Sequence, residues 1–145
     1  VTLTNSLFEV ANALVTNLEA NKTTLGLYAV HYGDQSLLEG TPLACVEPDV
    51  KRRTLKNAQR GTELTMYCQI FVYISAVQSP ELNRQASDQV AEDIEDFIHA
   101  DRTLGGLLIH CMITELASGY ATKAGTLIKT SRLQFEGISQ YRLPS

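Results

Sequence analysis

No apolar run in this chain of 145 residues approaches the roughly 20 needed for a membrane-spanning helix. The opening residues Val1-Thr2-Leu3-Thr4-Asn5 carry no positive charge ahead of an apolar stretch, so no secretory leader is expected. A cytosolic protein, or one released by lysis, is the expectation, with no membrane partner. Cysteine is scarce: Cys45, Cys68 and Cys111 are odd in number, far apart and set in apolar runs without a C-x-x-C pair. That spacing argues against a disulfide framework and for buried free thiols. There is also no surplus of basic charge, since the net charge of -4 supplies no field to hold a nucleic-acid backbone.

The motifs of common chemistries are missing as well. The chain has no nucleophile elbow, phosphate-binding glycine loop, dinucleotide fingerprint or H-E-x-x-H pair. Gly105-Gly106 leads into an apolar strand-like run where a phosphate cradle needs a helix N-terminus, so it reads as a turn. His110 and Cys111, as neighbours on a strand, point to opposite faces. His31 and His99 are isolated from any nameable partner. The carboxylates Asp88, Glu92, Asp93, Glu95 and Asp96 fan around a helix and do not converge on one cation, which makes them a solvated acidic face. No catalytic residue, cofactor or metal ligand is assigned on these grounds, and an enzyme is not expected.

What is present is a single domain's worth of amphipathic pattern without low-complexity sequence. Leu3, Leu7, Val10, Leu14 and Leu18 mark one face of a helix, capped by Asn5 or Thr4. Leu25 to Tyr32 reads as a short strand closed by Gly33-Asp34. Leu43 to Val46 reads as another, bracketed by Pro42 and Pro48, which confine the pairing to its ends or to a sheet edge. Residues Asp49 to Gly61 carry Lys51, Arg52, Arg53, Lys56 and Arg60 and read as a basic hairpin arm or mobile loop. From Thr62 to Val77, Leu64, Met66, Cys68, Ile70, Val72, Ile74 and Ala76 alternate with Thr65, Tyr67, Gln69, Phe71, Tyr73 and Ser75, the pattern of a long strand with a core face and an amphipathic face. Ser79-Pro80-Glu81 is a helix start whose stripe Leu82, Ala86, Val90, Ile94 and Phe97 faces the sheet. Two strands close the chain, Leu107 to Ala117 and Leu127 to Ser139, with Gly119 and Gly125 in the connection. The expected fold is α+β, a mainly antiparallel sheet with two amphipathic helices on one face.

Three surface features then remain: the basic arm, the acidic helix, and the strand face of Tyr67, Phe71 and Tyr73. Charges of opposite sign on different elements suit head-to-tail assembly, so Lys51, Arg52, Arg53, Lys56, Arg60, Tyr67, Phe71 and Tyr73 are candidate subunit-interface residues. Asp88, Glu92, Asp93 and Asp96 would form either the complementary interface or a lumen wall that repels passing DNA.

The order of elements, with several segments, resembles the tail terminator, or tail completion, proteins of long-tailed bacteriophages. The segments are Leu3 to Leu18, Gly33-Asp34-Gln35, Thr41-Pro42 before Ala44-Cys45-Val46-Glu47-Pro48, Asp101-Arg102-Thr103-Leu104-Gly105-Gly106-Leu107, Glu115 to Tyr120, and Ser131 to Gly137. The resemblance spans nearly the whole chain. It implies a structural virion protein that forms a hexameric ring in the neck, caps the tail tube, stops elongation and provides the head-tail joining surface, with assembly in the host cytoplasm. Its implied partners are other copies of itself, the tail tube protein and the head-neck connector, with DNA passing through unbound. It implies no active-site residue. Alternatives are a head-closure or other neck protein, and a small-molecule-binding α+β module in which Tyr67, Phe71 and Tyr73 would line a pocket.

Overall fold

Leu64, Met66, Cys68, Ile70 and Val72 sit two residues apart, so a strand that carries them can bury all five only by turning one whole face inward. In the computed structural model, which describes residues 3–35, 40–55, 61–75 and 80–142, each of the five is fully buried. They lie on β3 (Gly61–Ser75), the middle of a five-stranded sheet with β1 (Ala29–Tyr32), β2 (Leu43–Leu55), β4 (His110–Lys123) and β5 (Thr126–Arg142). The order is β1-β2-β3-β5-β4. β1 is parallel to β2, and the other neighbouring pairs are antiparallel. The expected α+β class is therefore the observed one.

Helix α1 (Leu7–Ala20) buries Val10, Ala11, Leu14 and Leu18 over β1 to β3, and α3 (Pro80–His99) buries Ala91, Ile94 and Ile98 over β3 to β5. Both helices thus roof the same face, here called the inner face. The N-cap of α1 is Ser6, one residue beyond the expected positions; its hydroxyl accepts the Glu9 N–H at 3.2 Å and satisfies a donor the helix cannot.

Several element limits differ from the sequence expectation, each for a visible reason. The strand expected from Leu25 to Tyr32 keeps only its last four residues, because the short helix α2 (Lys22–Leu25) and Gly26 in the left-handed region at φ 73° occupy the start. β2 is not stopped by Pro48. It continues through a bulge between Pro48 and Val50, and since β1 pairs only with residues up to Val46, the proline lies on an open edge where no donor is needed. Of the hairpin arm or mobile loop expected over Asp49 to Gly61, the hairpin alternative agrees with strand as far as Leu55 and again from Gly61, paired antiparallel; Lys56 and Arg60 lie outside the described residues, as do Ala76 and Val77.

β4 begins at His110, three residues after the expected Leu107, because Leu104, Gly105 and Gly106 all have positive φ and turn the chain there. It then runs through Gly119 to Lys123, and Ala124-Gly125, both at positive φ, close a two-residue hairpin. Leu127, at the start of β5, is 56% exposed. On α3 the buried line runs through Ser87, Ala91, Ile94 and Ile98, with Ala86, Val90 and Phe97 half-buried beside it. Small side chains at Ser87 and Ala91 let the helix approach the sheet, and the Ser87 hydroxyl is satisfied by a hydrogen bond with the buried Ser131 of β5. A count of large apolar residues could not register that line.

Candidate functional site

The outer face of the sheet has no helix on it among the described residues, and it divides into two halves. At one end Leu43, Cys45, Tyr73 and Ile128 form a second, smaller buried cluster with Ala29, Phe71 and Ala121 against it. Asp34, just after β1, closes this cluster. Its carboxylate accepts the Tyr73 hydroxyl at 2.6 Å and the Lys123 ammonium at 3.0 Å, while that ammonium lies 4.8 Å from the Tyr73 ring centroid. Glu47 holds the latch in place by accepting the Asp34 N–H at 2.7 Å. Burial acts to raise the Asp34 carboxyl, but the bonds from Tyr73 and Lys123 outweigh it and leave the group below the ordinary carboxylate range. Burial, reinforced by the Asp34 carboxylate, raises the Tyr73 phenol.

The other half of the outer face is open. Val50, Tyr67, Glu136 and Met112 lie in one row across β2, β3, β5 and β4, and Arg52, Thr65, Ile138 and His110 lie in the next. Val50 and Met112 are exposed. The Arg52 guanidinium sits 5.7 Å from the Tyr67 ring centroid. Apolar side chains and charges alternate here without a covering layer among the described residues.

The candidate residues divide accordingly. Tyr67 is half-buried on the open half; Phe71 is half-buried and stacked on Tyr73 with ring centroids 6.2 Å apart; Tyr73 is only 2% exposed beneath the latch. The basic residues do not form one patch either. Arg52 points to the outer face, whereas Lys51 and Arg53 point to the inner side, where Lys51 donates to the Asn5 carbonyl at 2.8 Å.

The acidic helix lies along β4. Asp88 accepts the Ser118 hydroxyl at 2.9 Å, and His99 accepts the Ile113 N–H on Nε2 at 2.9 Å. Those two anchors place the helical stripe Asp88, Glu92, Glu95 and His99 beside that strand. Asp93 accepts from Gln89 at 2.9 Å, and Asp96 is exposed. Among the described residues no group of three His, Cys, Asp or Glu side chains could hold a metal ion.

A groove of about 280 Å³ opens between α1 and α3, lined by Leu14, Leu18, Phe97, Ile98 and Leu104 among others. Tyr67, Phe71 and Tyr73 are on the opposite side of the sheet. Asp101, at the groove's rim, caps the following turn by accepting the N–H of Gly105 at 2.8 Å and the N–H and hydroxyl of Thr103 at 3.2 and 3.0 Å. The Gly105 N–H, then the Thr103 bonds, hold its carboxyl below the ordinary range. The three thiols are all free and buried; burial pushes Cys45 and Cys111 up to about 11 and Cys68 up to about 12, so none is a ready nucleophile in the folded chain.

No protein-family profile matches the chain, and no curated protein matches it in sequence. A solved structure whose name carries no function aligns with 98% of this chain and 99% of its own at 16% identity and a TM-score of 0.49. That likeness is too slight to bear on function.

Proposed function

We propose that this protein is a tail terminator of a long-tailed bacteriophage, a ring-forming structural component that caps the tail tube and presents the surface for head joining. The observation that carries the assembly role is the outer face. A half-open, amphipathic sheet surface with Val50, Met112 and Tyr67 exposed or half-buried is left without a layer of its own chain among the described residues, and where an antiparallel sheet's solvated face is ordinarily polar, these apolar side chains give a partner something to cover. The step from assembly to tail termination rests on the resemblance. Its segments lie on α1, on the latch after β1, on the start of β2, on the Asp101 turn, on the outer strand β4 and on β5.

In this reading the protein works by being placed, not by turnover. A ring on the end of a growing tube blocks the site where the next tube subunit would add and offers a new surface to the head. Removing the gene from its phage and viewing the lysate by negative-stain electron microscopy tests this. Overlong or irregular tails beside unjoined heads, restored to whole particles by adding the purified protein, are expected. Tails of normal length beside leaking heads would favour head closure instead, and intact particles would end the phage-neck reading.

A further inference from the structure

Two stretches of the sheet's edge have no strand beside them among the described residues. β1 covers β2 only from Leu43 to Val46, so β2 is an edge from Glu47 to Leu55. On the other side β4 is the last strand. Its beginning is covered, because the Cys111 N–H donates to the Arg102 carbonyl at 2.7 Å and the Ile113 N–H to His99. Beyond the bulge at Thr114 no described residue continues that cover. Antiparallel alternation, counted back from the hairpin pair Lys123 and Thr126, turns the backbone groups of Leu116, Ser118, Tyr120 and Thr122 away from β5. On β2, the Val46 carbonyl faces β1 by accepting the Gly33 N–H at 2.7 Å, and the same alternation carried through the bulge at Asp49 turns Lys51 and Arg53 outward. Pro48, which has no donor to lose, occupies an outward position.

The two edges carry opposite charge. Lys51, Arg52 and Arg53 belong to the β2 edge, and none of the three is paired with a described carboxylate. Along β4 runs the α3 stripe of Asp88, Glu92 and Glu95. The eleven helical steps from Asp88 to His99 rise about 16 Å, and the five strand steps from Ile113 to Ser118 rise about the same, so the stripe runs in step with β4 and brings Asp88 and Glu92 beside the start of the open edge at Leu116 to Ser118. The edges also match in direction. Each step from β2 through β3 and β5 to β4 is antiparallel, so a second copy set with its β2 beside β4 continues the alternation.

We infer that the open β4 edge from Leu116 to Thr122, beside the acidic stripe of α3, docks the basic β2 edge from Lys51 to Leu55 of a second copy, joining the two sheets by backbone hydrogen bonds. This rests on the assembly reading and names the surfaces that would carry it. The open halves are not level. Arg52 is in register with His110, eight residues from Ser118, so neighbouring copies are staggered by about 25 Å along the strands, the kind of shear that a closed ring of tilted strands requires.

Sedimentation velocity of the full chain over a concentration series at low salt tests the pairing. Thr122→Pro removes one outward N–H, touches neither the Asp88 nor the His99 anchor and leaves the bonds to β5 in place, and it should weaken self-association about tenfold. Glu92→Arg with Glu95→Arg, on exposed and half-exposed positions, should weaken it about as much through like-charge repulsion, as should Lys51→Glu with Arg53→Glu, the two β2 side chains on the same side of the sheet as α3. Combining both charge reversals in one chain should restore it, which a merely misfolded variant could not do. A wild type that associates while ignoring every variant overturns the edge pairing and leaves the assembly reading standing. A wild type that stays monomeric at millimolar concentration overturns the edge pairing as a self-association, while the gene-removal and add-back experiment decides the assembly reading separately.

Discussion

The two faces of one sheet are finished in different ways. On the inner face, helices α1 and α3 cover β3 and its neighbours, and the largest buried side chains, Phe135, Leu14, Ile70 and Ile94 among them, belong to that core. On the outer face a small cluster is closed by three polar side chains, Asp34, Tyr73 and Lys123, and the rest stays open. Apolar area removed from water scales the inner face's contribution, at roughly 25 cal/mol per Å². A hydrogen-bonded latch contributes far less, and its energy depends on every member staying paired. Stability therefore resides mainly on one side of the sheet.

Truncating the inner core should have the largest effect. Phe135→Ala is expected to cost about 3–5 kcal/mol in urea unfolding, because the ring is fully buried between strands and helices and its removal leaves a cavity. A loss under 1 kcal/mol would mean that the inner face is not the principal core. Gly137→Ala on the same strand should follow at about 1–3 kcal/mol, because an added Cβ would sit 2.7 Å from Leu108 Cδ1 and 3.2 Å from Phe135 Cε1. The buried Leu108 side chain must shift for a methyl group to fit there.

The latch comes next. Asp34→Ala leaves the buried Tyr73 hydroxyl without its acceptor and should cost about 1–3 kcal/mol. It should also expose the outer cluster selectively. Cys45 lies in that cluster whereas Cys68 and Cys111 lie in the inner core, so a thiol reagent at pH 8 should reach one cysteine faster in the variant and leave the other two protected. Equal acceleration at all three would show that the two faces unfold together. The pH response has a definite sign. The Asp34 carboxyl is depressed in the folded chain, so its stabilisation is present above the unfolded carboxylate range and is lost as pH falls through the folded value. Asp34→Asn should flatten that acid-side slope, measured as urea midpoints from pH 6 to pH 3; an unchanged slope would assign it to other carboxylates.

How legible these faces were in the sequence follows from the range of the interactions that make them. β3 and α3 could be read directly, since alternation and a Ser-Pro-Glu start are local. The path of β2 past Pro48 could not, because whether a proline interrupts a sheet depends on which edge is open, and that depends on how short β1 is. Gly119 and Gly125 look alike as punctuation, yet one is inside β4 and the other in its hairpin; only the tertiary pairing with β5 separates them. The latch was out of reach, since Asp34 and Lys123 are 89 positions apart and neither belongs to a recognisable motif. The candidate interface was legible as residue types but not as a surface. A strand's alternation sends Arg52 one way and Lys51 and Arg53 the other, and the latch buries Tyr73 while leaving Tyr67 accessible.

The smallest expected effect is the sharpest test of the comparison. Met112 is 36% exposed on the open half, in the row of Val50, Tyr67 and Glu136, with no helix above it among the described residues. Replacing it by Gln keeps the length of the side chain and removes its apolar character. If the open half contributes little to folding, Met112→Gln should change the unfolding free energy by no more than about 0.5 kcal/mol. The same substitution on the inner face, Met66→Gln, puts an unpaired amide into a fully buried site and should cost several times as much, on the order of 3 kcal/mol. Both residues are methionines on strands of one sheet, so the ratio of the two losses measures the difference between the faces. Comparable losses at the two positions would mean that the outer face is packed in solution, either by residues outside those described or by another copy, and the concentration dependence of the unfolding midpoint would tell those apart.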